Sequence, residues 1–214
     1  MQFQDRYEAG RLLAAQLIAY ADRADLTVVA LPRGGVPVGY EIAKALHAPL
    51  DVLVVRKLGV PGTPEFAMGA LASGGVRLLD EDVIRTLAIT REQIDAIIAE
   101  KGLELERQEH LYRSCREPLV MRDRQVILTD DGLATGWTMR AAIFALRTQQ
   151  PARIVVAVPV AAPSIFEEFE AEADEVVCVS TPVLFHAVGD AYRIFPQILD
   201  DLTCDLLKAA KNCL

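Results

Sequence analysis

The fold of this 214-residue chain is decided by the stretch Val126-Ile127-Leu128-Thr129-Asp130-Asp131-Gly132-Leu133-Ala134-Thr135-Gly136-Trp137-Thr138. It opens with an apolar, β-branched run that is typical of a buried strand in a parallel sheet, and two adjacent carboxylates follow directly. A loop of small residues then leads into a helical pattern. This order predicts a sugar-phosphate site, because a helix N-terminus offers unpaired N–H groups and the positive end of the helix dipole.

The residue types within the stretch divide the predicted ligand into two parts. Thr135 and Thr138 can donate hydroxyl hydrogen bonds, and Gly132 and Gly136 allow an anion to approach the backbone closely. The carboxylates repel a phosphate and instead suit sugar hydroxyls or a divalent cation. The alternative is an acidic turn that caps an ordinary helix, but a cap needs only one acid or threonine.

The stretch resembles the signature of the type I phosphoribosyltransferases, which bind phosphoribosyl pyrophosphate (PRPP). In that family an apolar strand, two acids and a short loop precede Thr-Gly-x-Thr, which here is Thr135 to Thr138. The resemblance implies that Asp130 and Asp131 bind the ribose 2- and 3-hydroxyls, directly or through hydrated Mg²⁺. It also implies that Gly132 and residues 134–138 (Ala134, Thr135, Gly136, Trp137, Thr138) bind the sugar phosphate, although the family usually has a small residue where Trp137 stands.

Outside this stretch, buried apolar runs alternate with helical patterns. Such alternation predicts parallel strands joined by right-handed crossovers. We expect a doubly wound α/β fold, with a mainly parallel five-stranded sheet and flanking helices, which is the phosphoribosyltransferase fold. The predicted strands are 26–31, 50–55, 125–129, 152–158 and 175–180, and the predicted helices are 9–24, 36–46, 138–148, 164–171 and 200–211.

Two further turns follow predicted strands, at the sheet edge where open α/β folds bind ligands. Arg33, Gly34 and Gly35 form a potential nest of backbone N–H groups with a guanidinium at its rim, and the resemblance gives this turn the diphosphate. Arg56 and Lys57 end the predicted second strand, and the resemblance implies that one of them binds the leaving diphosphate. The alternatives are a glycine-rich turn with an exposed arginine and a surface basic pair.

Three segments lie outside the alternation. Residues 59–66 are rich in glycine and proline and predict a mobile loop, which by resemblance closes over the reaction and excludes water; short strands follow around 68–72 and 76–79. Residues 80–116 predict a helical insertion, in which Asp80 caps a brief helix and Thr90 to Gln93 has the form of a capping box. Residues 181–197 are here called the hood.

By resemblance, the hood stacks an aromatic ring on the base. Tyr192 is the predicted stacking residue, and packing in the core is the alternative for it. No linker separates these segments from the sheet, so residues 1–214 are predicted to form a single phosphoribosyltransferase-like domain.

Composition excludes several classes of function. The net charge of −8 and a pI near 5.0 argue against a surface that coats nucleic acid. The N-terminus has no apolar signal core, and the longest apolar run, 154–166, is too short to cross a bilayer. We therefore expect a soluble cytoplasmic protein that binds no membrane. Cys115, Cys178, Cys204 and Cys213 have no metal-site spacing, which predicts reduced thiols.

The resemblance implies transfer of the 5-phosphoribosyl group of PRPP to a nitrogenous base or related acceptor, with release of pyrophosphate. Asp130, Asp131 and Lys57 are the predicted catalytic residues, Mg²⁺ is the predicted cofactor, and a homodimer is the expected assembly. A PRPP-binding regulator without turnover is the alternative, although regulators usually add a basic surface or a further domain. Purine-specific members often carry a late-strand lysine, which residues 156–161 lack, and this argues against hypoxanthine or guanine.

Overall fold

The computed structural model describes residues 2–115 and 117–211, with only the backbone described at Pro64 and Glu65. The predicted thiol of Cys213 and any contact of the Glu65 side chain in the loop therefore lie outside the described part. The strands are β1 (Leu26–Ala30), β2 (Leu50–Val52), β3 (Val55–Val60), β4 (Thr63–Ala72), β5 (Val76–Leu79), β6 (Gln125–Thr129), β7 (Arg153–Val160) and β8 (Glu175–Ser180). The helices are α1 (Arg6–Gln16), α2 (Gly35–Leu46), α3 (Glu81–Thr86), α4 (Arg91–Cys115), α5 (Trp137–Thr148), α6 (Pro163–Glu172) and α7 (Asp200–Lys211).

A five-stranded sheet in the order β2-β1-β6-β7-β8 forms the centre of the molecule, and every neighbouring pair in it is parallel. This confirms the predicted doubly wound sheet. Its strands are apolar on both faces because helices cover both faces. Val28 packs with α1, α2 and α7 on one side, whereas its neighbour Val29 packs with α5 and α6 on the other.

The sheet places both predicted anion-binding turns at one edge. In parallel strands the carboxyl ends lie on the same side, and β1 and β6 are direct neighbours, with Ala30 opposite Thr129. The turn at residues 31–35 and the acid pair at 130–131 follow those two ends. Adjacency of the strands therefore brings together two turns that lie about a hundred residues apart in sequence.

A separate antiparallel sheet, β3-β4-β5, corrects two sequence predictions. The predicted strand 50–55 ends early, because the chain leaves the parallel sheet after Val52, so Arg56 and Lys57 lie in β3 instead of at a parallel strand end. The predicted loop 59–66 is a hairpin in which Val60 pairs with Thr63. Its tight turn uses Gly62 at φ 80°, a conformation that glycine adopts readily.

The segment predicted as a helical insertion contains the helices α3 and α4, and their capping follows the predicted pattern. The Asp80 carboxylate accepts hydrogen bonds from the backbone of Asp82 and Val83. Thr90 and Gln93 form the capping box, each side chain accepting from the other residue's backbone N–H. Helix α4 is charged along its length, and in the described part of the chain no helix combines the length and apolar character needed to cross a membrane.

A disulfide joins Cys115, at the end of α4, to Cys204 in α7. The prediction of reduced thiols is therefore wrong for this pair, whereas Cys178 is free. Spacing in the sequence could not reveal the pair, because 89 residues separate the two cysteines and only the packing of α4 against α7 brings them together. The disulfide fixes the insertion to the C-terminal helix.

Candidate functional site

The turn after β1 packs directly against the acid pair after β6. The backbone N–H of Leu31 donates to the Thr129 carbonyl at 2.9 Å. A Cβ atom on Gly34 would lie 2.1 Å from Asp131 Oδ2, and one on Gly35 would lie 2.8 Å from the Asp130 Cα. The two turns approach so closely that neither glycine can be replaced by a larger residue without a shift. The two predicted subsites are therefore adjacent.

Two adjoining cavities open at this edge of the sheet. The larger, of about 570 Å³, is lined by Arg6, Pro32, Arg33, Gly34, Val55, Asp130, Asp131, Thr138 and hood-side residues Phe195 to Ile198. The smaller, of about 230 Å³, is lined by residues 130–136, Thr138, Met139 and Val188. Asp130, Asp131 and Thr138 line both, so they lie between a space beside Arg33 and a space over the loop that leads into α5.

The acid pair is electrostatically unusual. Burial raises the pKa of Asp130 well above its ordinary value, and the neighbouring charge of Asp131 raises it further. Burial also raises the pKa of Asp131, although the hydrogen bond from Arg6 opposes that rise. The Asp131 backbone N–H donates to Asp130 Oδ1 at 2.8 Å. Two desolvated carboxylates side by side can gain from hydroxyl donors or a cation.

Arg6, which sequence reasoning missed, is the direct partner of the acid pair. Its Nε lies 2.8 Å from Asp131 Oδ2, and the two side chains are only 7% and 15% exposed. Its guanidinium also donates to the Pro196 carbonyl and lies 3.7 Å from the centre of the Phe195 ring. Arg6 thereby ties α1 to the acid pair and to the end of the hood.

The loop between β6 and α5 lines the smaller cavity. Gly136 precedes α5 with φ 76°, and a Cβ there would lie 2.7 Å from the Phe169 ring. Ala134 and Thr135 are exposed and line the smaller cavity together with Gly132. The loop is fixed at its base because Leu133 donates to the Val160 carbonyl at 2.8 Å. The N–H groups of the first turn of α5 are thus close to that cavity.

The structure corrects the predicted stacking role of Tyr192. Its side chain is only 4% exposed, and its ring packs against Phe3 and Phe195, with ring centres 5.5 and 5.0 Å apart. Its hydroxyl donates to the Asp131 carbonyl at 2.5 Å. Tyr192 therefore supports the acid pair through the backbone of Asp131. Among the hood aromatics, Phe195 is the one that lines the larger cavity.

The remaining predicted residues are Arg56, Lys57 and Trp137, and none of them lines either cavity. Side chains alternate along a strand, so Lys57 shares a face of β3 with the cavity-lining Val55, whereas Arg56 lies on the opposite face. There Arg56 donates to Gln108 of α4. Trp137 is the half-buried first residue of α5 and is not among the residues that line either cavity. Of the predicted basic pair, Lys57 therefore lies on the face of β3 nearer to the larger cavity, and Arg56 lies on the face nearer to α4.

The residues that sequence reasoning missed come from distant parts of the chain. Besides Arg6, they are Gln197, Ile198 and Val188, which line the cavities, and Asp200, whose Oδ1 lies 3.8 Å from Arg33 Nε. Local sequence carries no signal for them, because each stands in an ordinary helix start or an aperiodic segment. Only the folding of α1 and the hood over the strand ends brings them to the site.

The donor set at the site fits one kind of cation. Among the described residues there is no group of three or more histidine, cysteine, aspartate or glutamate side chains that could hold a metal ion. Mg²⁺, however, keeps several waters and commonly uses only one or two carboxylates together with phosphate oxygens of the substrate. Asp130 and Asp131 fit that requirement.

Comparison with known proteins extends these observations. Residues 2–192 match the family described as "Phosphoribosyl transferase domain". Two Mycobacterium tuberculosis proteins, MT0597 and Rv0571c, whose names class them provisionally as phosphoribosyl transferases, are 46% identical over 199 residues and 93% of this chain. The chain spans 45% of the length of these relatives. The crystal structure of TT1426 from Thermus thermophilus has 40% identity and a TM-score of 0.83, covering 98% of this chain and 99% of that one.

Proposed function

The chain belongs to the phosphoribosyl transferase domain family, and from that premise we propose that it transfers the 5-phosphoribosyl group of PRPP to a nitrogenous base or related acceptor and releases pyrophosphate. One observation carries the proposal: the acid pair and Thr138 line both of two adjoining cavities. PRPP needs such an arrangement, because its ribose lies between a 5-phosphate and a diphosphate.

The residues divide among the parts of PRPP as follows. The loop from Gly132 to Thr138 binds the 5-phosphate through backbone N–H groups, its threonine hydroxyls and the N-terminus of α5. Asp130 and Asp131 accept hydrogen bonds from the ribose 2- and 3-hydroxyls. Arg33 and the backbone of Gly34 and Gly35 bind the diphosphate, and Lys57 is the second cation proposed for it.

Catalysis in this proposal depends on charge stabilisation and on fixed reactants. The transition state has oxocarbenium character, so negative charge builds up on the departing diphosphate, where the Arg33 guanidinium is placed to stabilise it. Mg²⁺, held by Asp130 and Asp131 directly or through water, would supply further positive charge against the diphosphate.

The acceptor is proposed to enter the larger cavity beside Phe195, Gln197 and Ile198, which line it together with Arg33. We also propose that the protein is cytoplasmic and that it forms a homodimer. Purine-specific members of the family often carry a lysine on this late strand, but β7 has none from Val156 to Val160. We therefore propose an acceptor other than a 6-oxopurine.

The decisive experiment measures pyrophosphate release when the protein is incubated with Mg²⁺, PRPP and a panel of bases. Release that depends on one base supports the transferase. Saturable PRPP binding without release for any base would instead support the regulatory alternative. Absence of PRPP binding would contradict both.

A variant pair tests the site itself. Asp130→Asn combined with Asp131→Asn should abolish PRPP binding, measured by isothermal titration calorimetry. The matched control is Asp201→Asn combined with Asp205→Asn, which removes two exposed carboxylates from α7 and should leave the affinity unchanged. An unaltered affinity in the first double variant would remove the acid pair from the proposal.

A further inference from the structure

One carboxylate oxygen beside the larger cavity is approached by three nitrogen and hydroxyl groups from two parts of the chain. Oδ1 of Asp200, the first residue of α7, accepts from the Tyr112 hydroxyl at 2.5 Å and from Gln108 Nε2 at 3.3 Å. Arg33 Nε lies 3.8 Å from the same oxygen. Two of these donors belong to the helical insertion and the third to the turn that lines the cavity, so Asp200 connects the insertion to the site.

Gln108 extends this cluster to a second arginine. Its Nε2 donates to Tyr112 and Asp200, while its Oε1 accepts from the Arg56 guanidinium. A side-chain amide can donate and accept at once, and here both functions are used. The cluster formed by Gln108, Tyr112, Asp200, Arg33 and Arg56 is therefore one connected set.

The cluster rests on a rigid base. Tyr112 is fully buried and Gln108 is 7% exposed, and one turn further along the two helices the disulfide joins Cys115 to Cys204. Helices α4 and α7 are thus attached to each other by hydrogen bonds at one level and covalently at the next. Asp200 consequently has a fixed position relative to α4.

The distances indicate what the cluster does to Arg33. The neutral phenol and amide both donate to Oδ1 of Asp200, and the guanidinium stands 3.8 Å from the same oxygen, beyond hydrogen-bond length. At that distance Asp200 orients Arg33 by charge without occupying its donors. An arginine held in advance loses less rotamer freedom when it binds an anion.

We propose that Gln108, Tyr112 and Asp200 are positioning residues that hold Arg33 ready for the diphosphate of the substrate. This inference rests on the proposed function, because it assigns the diphosphate to Arg33. It also gives the helical insertion a task in that function. Loss of the phenol either loosens Asp200 or lets it bind Arg33 directly, and both changes remove Arg33 from its place.

The test compares two tyrosines that make the same contact. Tyr112→Phe removes a hydroxyl that donates to Asp200 at 2.5 Å, and Tyr20→Phe removes one that donates to Glu175 at 2.6 Å, at the amino-terminal end of β8 and far from the cavities. Titrations in Mg²⁺ use inorganic pyrophosphate and, separately, ribose 5-phosphate. For Tyr112→Phe we expect about three- to tenfold weaker pyrophosphate binding with ribose 5-phosphate affinity unchanged, and for Tyr20→Phe neither effect.

Asp200→Asn supplies an independent second variant, with Asp201→Asn as its control for charge on the same helix turn. If Asp200 positions Arg33, Asp200→Asn weakens pyrophosphate binding. If Asp200 only repels the anion, the variant binds pyrophosphate more tightly, and the inference is overturned.

The remaining outcomes are equally decisive. Unchanged pyrophosphate affinity in Tyr112→Phe, or an equal loss of affinity for both ligands, overturns the positioning role. In either case the proposed function still stands if the wild-type protein binds pyrophosphate and ribose 5-phosphate. Failure of the wild-type protein to bind either ligand overturns the inference and the proposed function together.

Discussion

A Cβ atom on Gly34 would lie 2.1 Å from Oδ2 of Asp131, closer than two non-bonded heavy atoms can approach. Two turns from distant parts of the chain therefore meet with no side chain between them. This contact sets the separation of the proposed diphosphate and ribose subsites, and it makes the site sensitive to single methyl groups.

Gly34→Ala tests that contact. The added methyl group has to displace the Asp131 carboxylate or the turn, at a cost of about 1–3 kcal/mol in stability for such overpacking, and we expect PRPP binding to weaken strongly. Urea unfolding and calorimetric titration measure the two effects.

The control is Gly102→Ala in α4, where the nearest atom to the new Cβ is 3.9 Å away and helix propensity predicts a stabilisation of about 0.5–1 kcal/mol. Equal behaviour of the two variants would contradict the steric argument.

Asp130→Asn should stabilise the ligand-free protein at neutral pH while it abolishes PRPP binding. Burial raises the pKa of Asp130 above its ordinary value of 3.8, so keeping this group ionised in the folded state costs free energy. Each kcal/mol gained raises the Tm of a chain of this size by about 2–4 °C. Thermal unfolding of the wild type and the variant at several pH values measures the gain.

The pH dependence of that gain has a definite sign. The folded-state pKa of Asp130 lies above the unfolded one, so the folded protein binds the proton more tightly and the wild type recovers stability as pH falls through the raised pKa. The Tm difference between Asp130→Asn and wild type should therefore be largest at neutral pH and vanish below about pH 4. A difference that grows on acidification would refute the burial argument.

Arg6→Met tests the ion pair between α1 and the acid pair. Removal of one partner of a buried pair leaves an uncompensated charge and costs about 3–5 kcal/mol, which chemical denaturation measures. The pKa of Asp131 should rise further, because the Arg6 hydrogen bond now lowers it. Loss of PRPP affinity on acidification should then begin at a higher pH than in the wild type.

The same helix supplies the control for Arg6. Arg11 pairs with Glu41 at 3.5 Å, but its side chain is 58% exposed, and exposed ion pairs contribute little. Arg11→Met should therefore change stability by less than about 1 kcal/mol. If Arg11→Met costs as much as Arg6→Met, the effect belongs to α1 in general and not to the acid pair.

Cys204→Ser should destabilise the protein by about 2–4 kcal/mol, since the disulfide closes a long loop in the unfolded chain. A reductant should lower the Tm of the wild type and leave that of the variant unchanged. Non-reducing digestion should yield one fragment that contains both Cys115 and Cys204.

Cys178→Ser is the comparison for the disulfide. Burial raises the pKa of the Cys178 thiol to about 11, so this group reacts slowly, and its variant should keep the reductant sensitivity of the wild type. Alkylation of both Cys115 and Cys204 in the unreduced protein would contradict the pairing.

Particular elements show how far sequence patterns reach. The structure has a helix over all of the predicted residues 200–211, and strands β6 and β8 have the predicted bounds, because periodicity and flanking residues act within a few positions. The predicted strand 50–55 and the loop 59–66 were wrong. The apolar residues after Val52 continue into a second sheet, and composition does not show where one sheet ends and the next begins. Glycine and proline in residues 59–66 fit a loop and a tight hairpin turn equally well.

The sequence by itself determined the strand, the acid pair, the threonine loop and the alternation of strands and helices that makes a parallel sheet. These depend on local backbone preferences and on apolar spacing, which can be read from consecutive residues. Tertiary structure alone decided that Arg6 pairs with Asp131, that Tyr192 supports the acid pair instead of facing the cavity, and that Asp200 stands beside Arg33. Those contacts join residues far apart in the chain, and only the packing of helices and hood over the strand ends fixes their distances.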